Sequence, residues 1–183
     1  MAKTPKSLKG KLLVARPGLI DPNFAQTIVY MVEHSPEGAL GFVLNRPVGA
    51  SLADCVSEES TLPFFREVPV LQGGPVHGGR IAVVVFVKPP RAKSVRALCG
   101  MDVDQLQRFI GNPRAWVRAF HGYAGWDAGQ LERELTEDSW LVRPVDPTVF
   151  DPRIAPGLWS FLLSGDDRWR ALVDYLPKES DRN

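Results

Sequence analysis

The chain has almost no cysteine. Cys55 and Cys99 are its only two among 183 residues, with no Cys-x-x-Cys pair, which excludes a zinc-ribbon framework and a disulfide-dense secreted scaffold. Histidine is nearly as scarce: His34, His77 and His121 fall in three separate segments without His-x-x-x-His spacing, so neither a metal nor another cofactor is expected. Excess charge of one sign is missing too. Twenty-two Lys and Arg stand against 21 Asp and Glu, and a net +1 creates no global field that would recruit nucleic acid or an anionic membrane. No apolar run approaches the roughly 18 residues of a membrane span, and residues 12–15 are too few for a signal-peptide apolar region of about 7–15. A reducing, cytoplasmic setting is expected. Gly-x-Ser-x-Gly, a Walker lysine loop and Gly-x-Gly-x-x-Gly are likewise absent, which removes the common hydrolase, nucleotide and dinucleotide fingerprints.

What is present is globular. With 44% hydrophobic and 23% charged residues, the chain has the composition of a folded domain and the length to bury one core unaided. Residues 12–15, closed by Arg16-Pro17-Gly18, and residues 27–32 read as strands. Residues 40–44 form the second arm of a hairpin, since His34-Ser35-Pro36-Glu37-Gly38 supplies the reversal. Asn45-Arg46-Pro47 ends that strand, because proline lacks a ladder donor, and Ser51 caps a short helix through Val56. Residues 68–72 and 81–87 flank the glycine-rich loop 73–79. The second of these runs shows no polar alternation and reads as a central strand covered on both faces.

From Asp102 the period changes. Val103, Leu106, Phe109 and Ile110 share a helical face, and Asn112-Pro113 starts a second helix carrying Trp116, Val117 and Phe120. Residues 122–127 read as a break, and Asp127 caps a helix through Leu135. Residues 140–142 read as a strand, and 158–163 and 169–176 as two closing helices. Strands clustered ahead of helices predict the α+β class. No linker divides the chain, which reads as a flexible basic N-terminus over 1–8, one domain over 9–177 and a tail over 178–183.

Four blocks together are more specific than any alone. They are residues 10–18 with Asp21-Pro-Asn-Phe24; Glu33-His34 with residues 38–47; Gly73-Gly-Pro-Val76; and Gly122-Tyr-Ala-Gly-Trp126 with Gly129-Gln-Leu-Glu132. In that order and spacing the chain, from about residue 8 to 165, closely resembles the YqgE/AlgH family of bacterial cytosolic proteins. The resemblance implies a single α+β domain on a bulged, barrel-like, mostly antiparallel sheet flanked by helices. It implies no reaction, since the family has no established one, and the transcriptional-regulator name of some members is a label rather than a mechanism. Where many members carry a leucine-histidine pair, this chain has Val83-Val84-Val85-Phe86, and His77 and His121 match no family motif.

The blocks motivate a candidate ligand site where Asn45 and Arg46, Gly73 and Gly74, and Tyr123, Trp126 and Gln130 converge. The expected function is a binding or regulatory protein for an unknown small molecule or protein partner. A rival reading is a hydrolase or transferase on the same surface, with Arg46 holding a small anion and Glu132 or His34 as acid/base. No catalytic residue is assigned. Each feature has a structural reading beside the functional one. The loop 73–79 either approaches an anion with its backbone donors or makes a strand-to-strand turn. Trp126 either lines a pocket or anchors the core, and His34 bonds backbone in the hairpin. Asp102 caps a helix, and Cys55 is an inert thiol on an apolar face. The tandem helices from Asp102 and Pro113 suggest a helix-turn-helix, but Asp102, Asp104 and the near-neutral chain argue against direct DNA binding.

Overall fold

Nearly every strand alternates between two hydrophobic layers, which explains why so many read as unbroken apolar runs. The computed structural model describes residues 7–57, 61–151 and 157–164. In order these form β1 (Lys11–Ala15), β2 (Ile28–Ser35), β3 (Gly38–Val43), β4 (Pro47–Ser51), β5 (Pro69–Gln72), β6 (Val76–Val87), β7 (Arg96–Cys99), α1 (Val103–Gln107), β8 (Ala115–Asp127), α2 (Gln130–Thr136), β9 (Trp140–Pro144) and α3 (Leu158–Ser164). The single domain is α+β, built on a large mixed sheet of nine strands that does not close. All strand pairings are antiparallel except that between β5 and β8. Register shifts bulge β2 against β3, β4 against β5 and β6 against β8.

β8 organises the sheet. Its first half lies between β5 and β6, pairing Val70 with Ala119 and Val84 with Arg118. Its last four residues leave both and pair with β3, Gly41 opposite Ala124 through Gly38 opposite Asp127. The crossing occurs at Gly122, whose φ of 69° is costly for any residue with a Cβ. Leu12, Ile28, Tyr30, Phe42, Val84, Phe86 and Phe120 meet in a central core. The alternate residues Leu13, Val29, Met31, Val43 and Ala124 pack outward with Leu131 of α2. On the β6 side, Val70, Val85, Val117 and Ala119 pack instead against Leu52, Phe64, Phe65 and Leu106.

Several expectations change. Residues 113–121 are not a helix but the first half of β8. Trp116, Val117 and Phe120 satisfy a helical face, yet Val117 and Phe120 are buried in different layers, as strand residues with both faces covered must be. Asn112-Pro113 makes a turn, with the Asn112 carboxamide accepting from Arg114 N–H at 2.9 Å. The helix-turn-helix therefore lacks its second helix. Residues 122–127 continue the same strand rather than break it, and Gly129, not Asp127, is the N-cap of α2. Asn45-Arg46-Pro47 ends one strand but opens another, since Pro47 begins β4, on the sheet edge where a missing N–H is harmless. Residue 103 is 40% exposed, because α1 ends at Gln107 and only Leu106 of its face is buried. The helix expected over 169–176 and the terminal segments 1–6 and 178–183 lie outside the described residues.

Candidate functional site: a groove at an open strand edge

β7 pairs with β6 only from Val84 to Val87, opposite Cys99 to Arg96. The N-terminal part of β6 is left without a neighbour on that side among the described residues. Lys88 donates to the Arg114 carbonyl at 2.9 Å, in the same ladder that sets Val87 opposite Ala115. Backbone groups point to alternate sides along a strand, so even-numbered residues of β6 face β8 and odd-numbered ones face away. Ile81 therefore turns its N–H and C=O toward the gap, and Val83 its N–H.

A groove of about 640 Å³ occupies that gap. Ile81 and Val83, which belong to one hydrophobic layer, and Ala82 and Val84, which belong to the other, all line it. Side chains from both faces of one strand can share a groove only if it runs along the strand's edge. One wall is Val32, Leu40 and Phe42; the other is Leu52, Val56, Phe65, Val103 and Leu106. Glu33 and Cys99 are the polar and thiol groups at its margin. Partial burial and the Glu33 carboxylate hold the Cys99 thiol above its ordinary range, the opposite of what a nucleophilic cysteine requires.

The anticipated site residues do not line this groove. Asn45 accepts from Ile28 N–H at 2.9 Å and donates to the Gln26 carbonyl at 2.8 Å. The Arg46 guanidinium donates to the carbonyls of Asn23, Pro22 and Ala25 at 2.8, 3.1 and 3.1 Å, closing the loop before β2. Gly73 bonds His121 and Val43 through its backbone, and a Cβ on Gly73 or Gly74 would lie 2.3 or 2.2 Å from the β8 backbone. Tyr123 packs toward the central core. Trp126 and Gln130 lie on the opposite face, where both donate to Glu134, at 2.9 Å each.

Glu134 is a residue that pattern reading missed. Its carboxylate also accepts from the Trp140 indole at 2.7 Å, while Phe24 stacks on Trp126 and meets Trp140 edge-on. The clue was a glutamate one turn beyond Gln130, a spacing that places both on one helical face. His34 also has a fuller role than a hairpin residue. Its Nδ1 accepts from Leu8 N–H at 2.9 Å and its Nε2 lies 2.8 Å from Glu132. An Nδ1 that accepts leaves the ring proton on Nε2, so His34 donates to Glu132, and this bond is the main cause holding the Glu132 carboxyl below its ordinary range. The pair ties α2 and the chain before β1 to β2. Arg118, in a separate cavity of about 80 Å³ beneath Leu44, Leu71 and Phe150, donates to the Val117 and Phe150 carbonyls. Burial lowers its pKa to about 10, with Asp151 opposing. Among the described residues no three of His, Cys, Asp and Glu are placed to hold a metal ion.

Known proteins share this architecture. A model of the AlgH-like family matches residues 12–176. A UPF0301 protein of Stutzerimonas stutzeri is 40% identical over 155 residues, covering 79% of this chain and 81% of that relative. One from Pseudomonas aeruginosa strain LESB58 is 38% identical over 160 residues, 80% and 82% of the two chains. The solution structure of the AlgH protein from Pseudomonas aeruginosa superposes with a TM-score of 0.66 at 31% identity, covering 98% of this chain and 99% of that one. The crystal structure of protein DIP2367 from Corynebacterium diphtheriae, at 20% identity, a TM-score of 0.60 and 98% and 92% coverage, shares the fold. The sequence blocks, the family model and the shared sheet agree: this chain belongs to the AlgH-like family.

Proposed function

We propose that this protein acts by binding rather than by chemistry, and that its binding surface is the groove beside β6. One observation carries the reading: a concave, mostly apolar groove of about 640 Å³ stands open along the edge of β6. Binding sites are commonly concave, mostly apolar clefts of about 300–1,000 Å³. The residues of the rival enzyme reading support it less. Arg46 holds three backbone carbonyls, and both ring nitrogens of His34 are engaged, one of them with Glu132. A regulatory role follows if the bound partner is itself regulated.

The test is a titration with Nile red, a neutral apolar dye, against the wild type and Val103→Arg. Val103 lines the groove and is exposed at the first turn of α1, so its replacement leaves the core intact. Saturable binding that weakens at least about tenfold in the variant supports the reading. Equal binding by both proteins refutes the groove as the surface.

A further inference from the structure

The groove's shape restricts what fills it. A compact apolar molecule would need one wall, but this groove has two, on opposite sides of the β6 plane: Val32, Leu40 and Phe42 on one, Leu52, Val56, Phe65 and Leu106 on the other. Between them lies a strand edge. Ile81 and Val83 turn backbone N–H groups into the gap, and no partner for these is found among the described residues. An extended chain sends successive side chains to opposite faces and carries hydrogen-bonding groups along its edge. It is the ligand shape that meets both walls and the edge together. The margin adds a sign. Glu33 is exposed and lines the groove, and the ion pairs among the described residues do not include it. Lys9 lies close enough to act on Cys99, yet it does not neutralise Glu33 by contact.

Resting on the reading of the groove as the binding surface, we infer that its partner is an extended protein segment. This segment adds as a strand to β6 beside Ile81 and Val83, divides apolar side chains between the two walls and presents a lysine or arginine to Glu33. Open strand edges are ordinarily blunted because they template pairing. Here the bulge between Val76 and Ile81 limits the usable edge to the part that the groove walls flank, which favours a guided partner over indiscriminate edge pairing. A capped peptide carrying valines on both faces of its extended form, with one central lysine, is the probe. It is titrated against the full chain while amide exchange is followed residue by residue.

The expected result is saturable binding, at least tenfold slower exchange at Ile81 and Val83, and at least a tenfold loss of affinity when alternate peptide nitrogens on the docking edge are methylated. Methylation removes donors and leaves the side chains. Glu33→Gln should weaken the lysine peptide severalfold and leave a glutamine-for-lysine peptide unchanged. If the methylated peptide binds as well as the parent, or no peptide binds while Nile red still does, strand addition is overturned and the groove stands as a surface for another ligand. If neither peptide nor Nile red binds, the underlying reading fails as well. If sedimentation shows a dimer that the peptide dissociates, the strand comes from a second copy and the partner inferred here is wrong.

Discussion

Trp126 carries more structure than any other residue of the glycine block. It is 5% exposed, its indole N–H is satisfied by Glu134, and its ring packs against Phe24 and Trp140 at 5.9 and 6.1 Å. Trp126→Ala should cost about 3–5 kcal/mol by opening a cavity, much of the roughly 5–15 kcal/mol that holds a typical domain. Thermal melting checks it, and a midpoint within a few degrees of wild type would assign Trp126 to the surface. Arg46 poses the opposite case. Reading the sequence alone, an arginine at a strand end looks free to meet an anion. The carbonyls of residues 22, 23 and 25 come from a loop some twenty positions earlier, and no local pattern announces such contacts. Arg46→Ala should lower stability by about 1–2 kcal/mol. Arg46→Lys should restore little, because one ammonium cannot reproduce a planar fork of donors. Denaturant midpoints of the two variants decide this.

β8 and its crossing partner show why elements are harder to read than residues. Gly73 and Gly74 pass so close to β8 that a methyl group at Gly74 would overlap the Tyr123 carbonyl, and the φ of 155° at Gly74 adds strain for any residue with a Cβ. Gly74→Ala should therefore cost more than about 3 kcal/mol, whereas Gly49→Ala, with nothing within 4 Å of its Cβ but a φ of 75°, should cost only about 1 kcal/mol of backbone strain. Urea midpoints measured side by side test the contrast. The β2–β3 hairpin, the strands at 12–15 and 140–142 and the capped turn at Asp102 were legible, because each is specified by its own residues or near neighbours. Residues 113–121 were not, since aromatics that fit a helical face become strand residues once β5 and β6 bond both edges. At α2 the link to β2 has a pH signature. His34 holds the Glu132 carboxyl below its ordinary 4.5, so this bond contributes fully above that value and is lost as pH falls through the lowered one. The stability gap between wild type and Glu132→Gln should be present at neutral pH and close in acid below pH 4.5. A gap that widened in acid would contradict the assignment.

The net charge of the whole molecule is only +1, and the tandem helices that suggest a reading head contain a strand instead. The isolated chain should bind DNA no more tightly than roughly 10⁻⁶ M at physiological salt, with strong salt dependence. Titration of a labelled promoter library checks this, and nanomolar, sequence-selective binding would overturn it. Folding at this scale follows from burial: alternate residues of β1, β2, β3 and β6 feed two apolar layers, so a slip by one residue would exchange the layers. Amino-acid order alone determined the class, the hairpin, the Ser51 and Asp102 caps and the family, because these rest on composition, local periodicity and motifs within a few tens of residues. Tertiary structure alone decided that β8 joins both parts of the sheet, that Tyr123 and Trp126 pack in different layers, and that among the described residues β6 keeps an open edge beside an apolar groove. Those outcomes depend on which distant strands find each other and which edge is left over, and neither is encoded in the neighbourhood of any one residue.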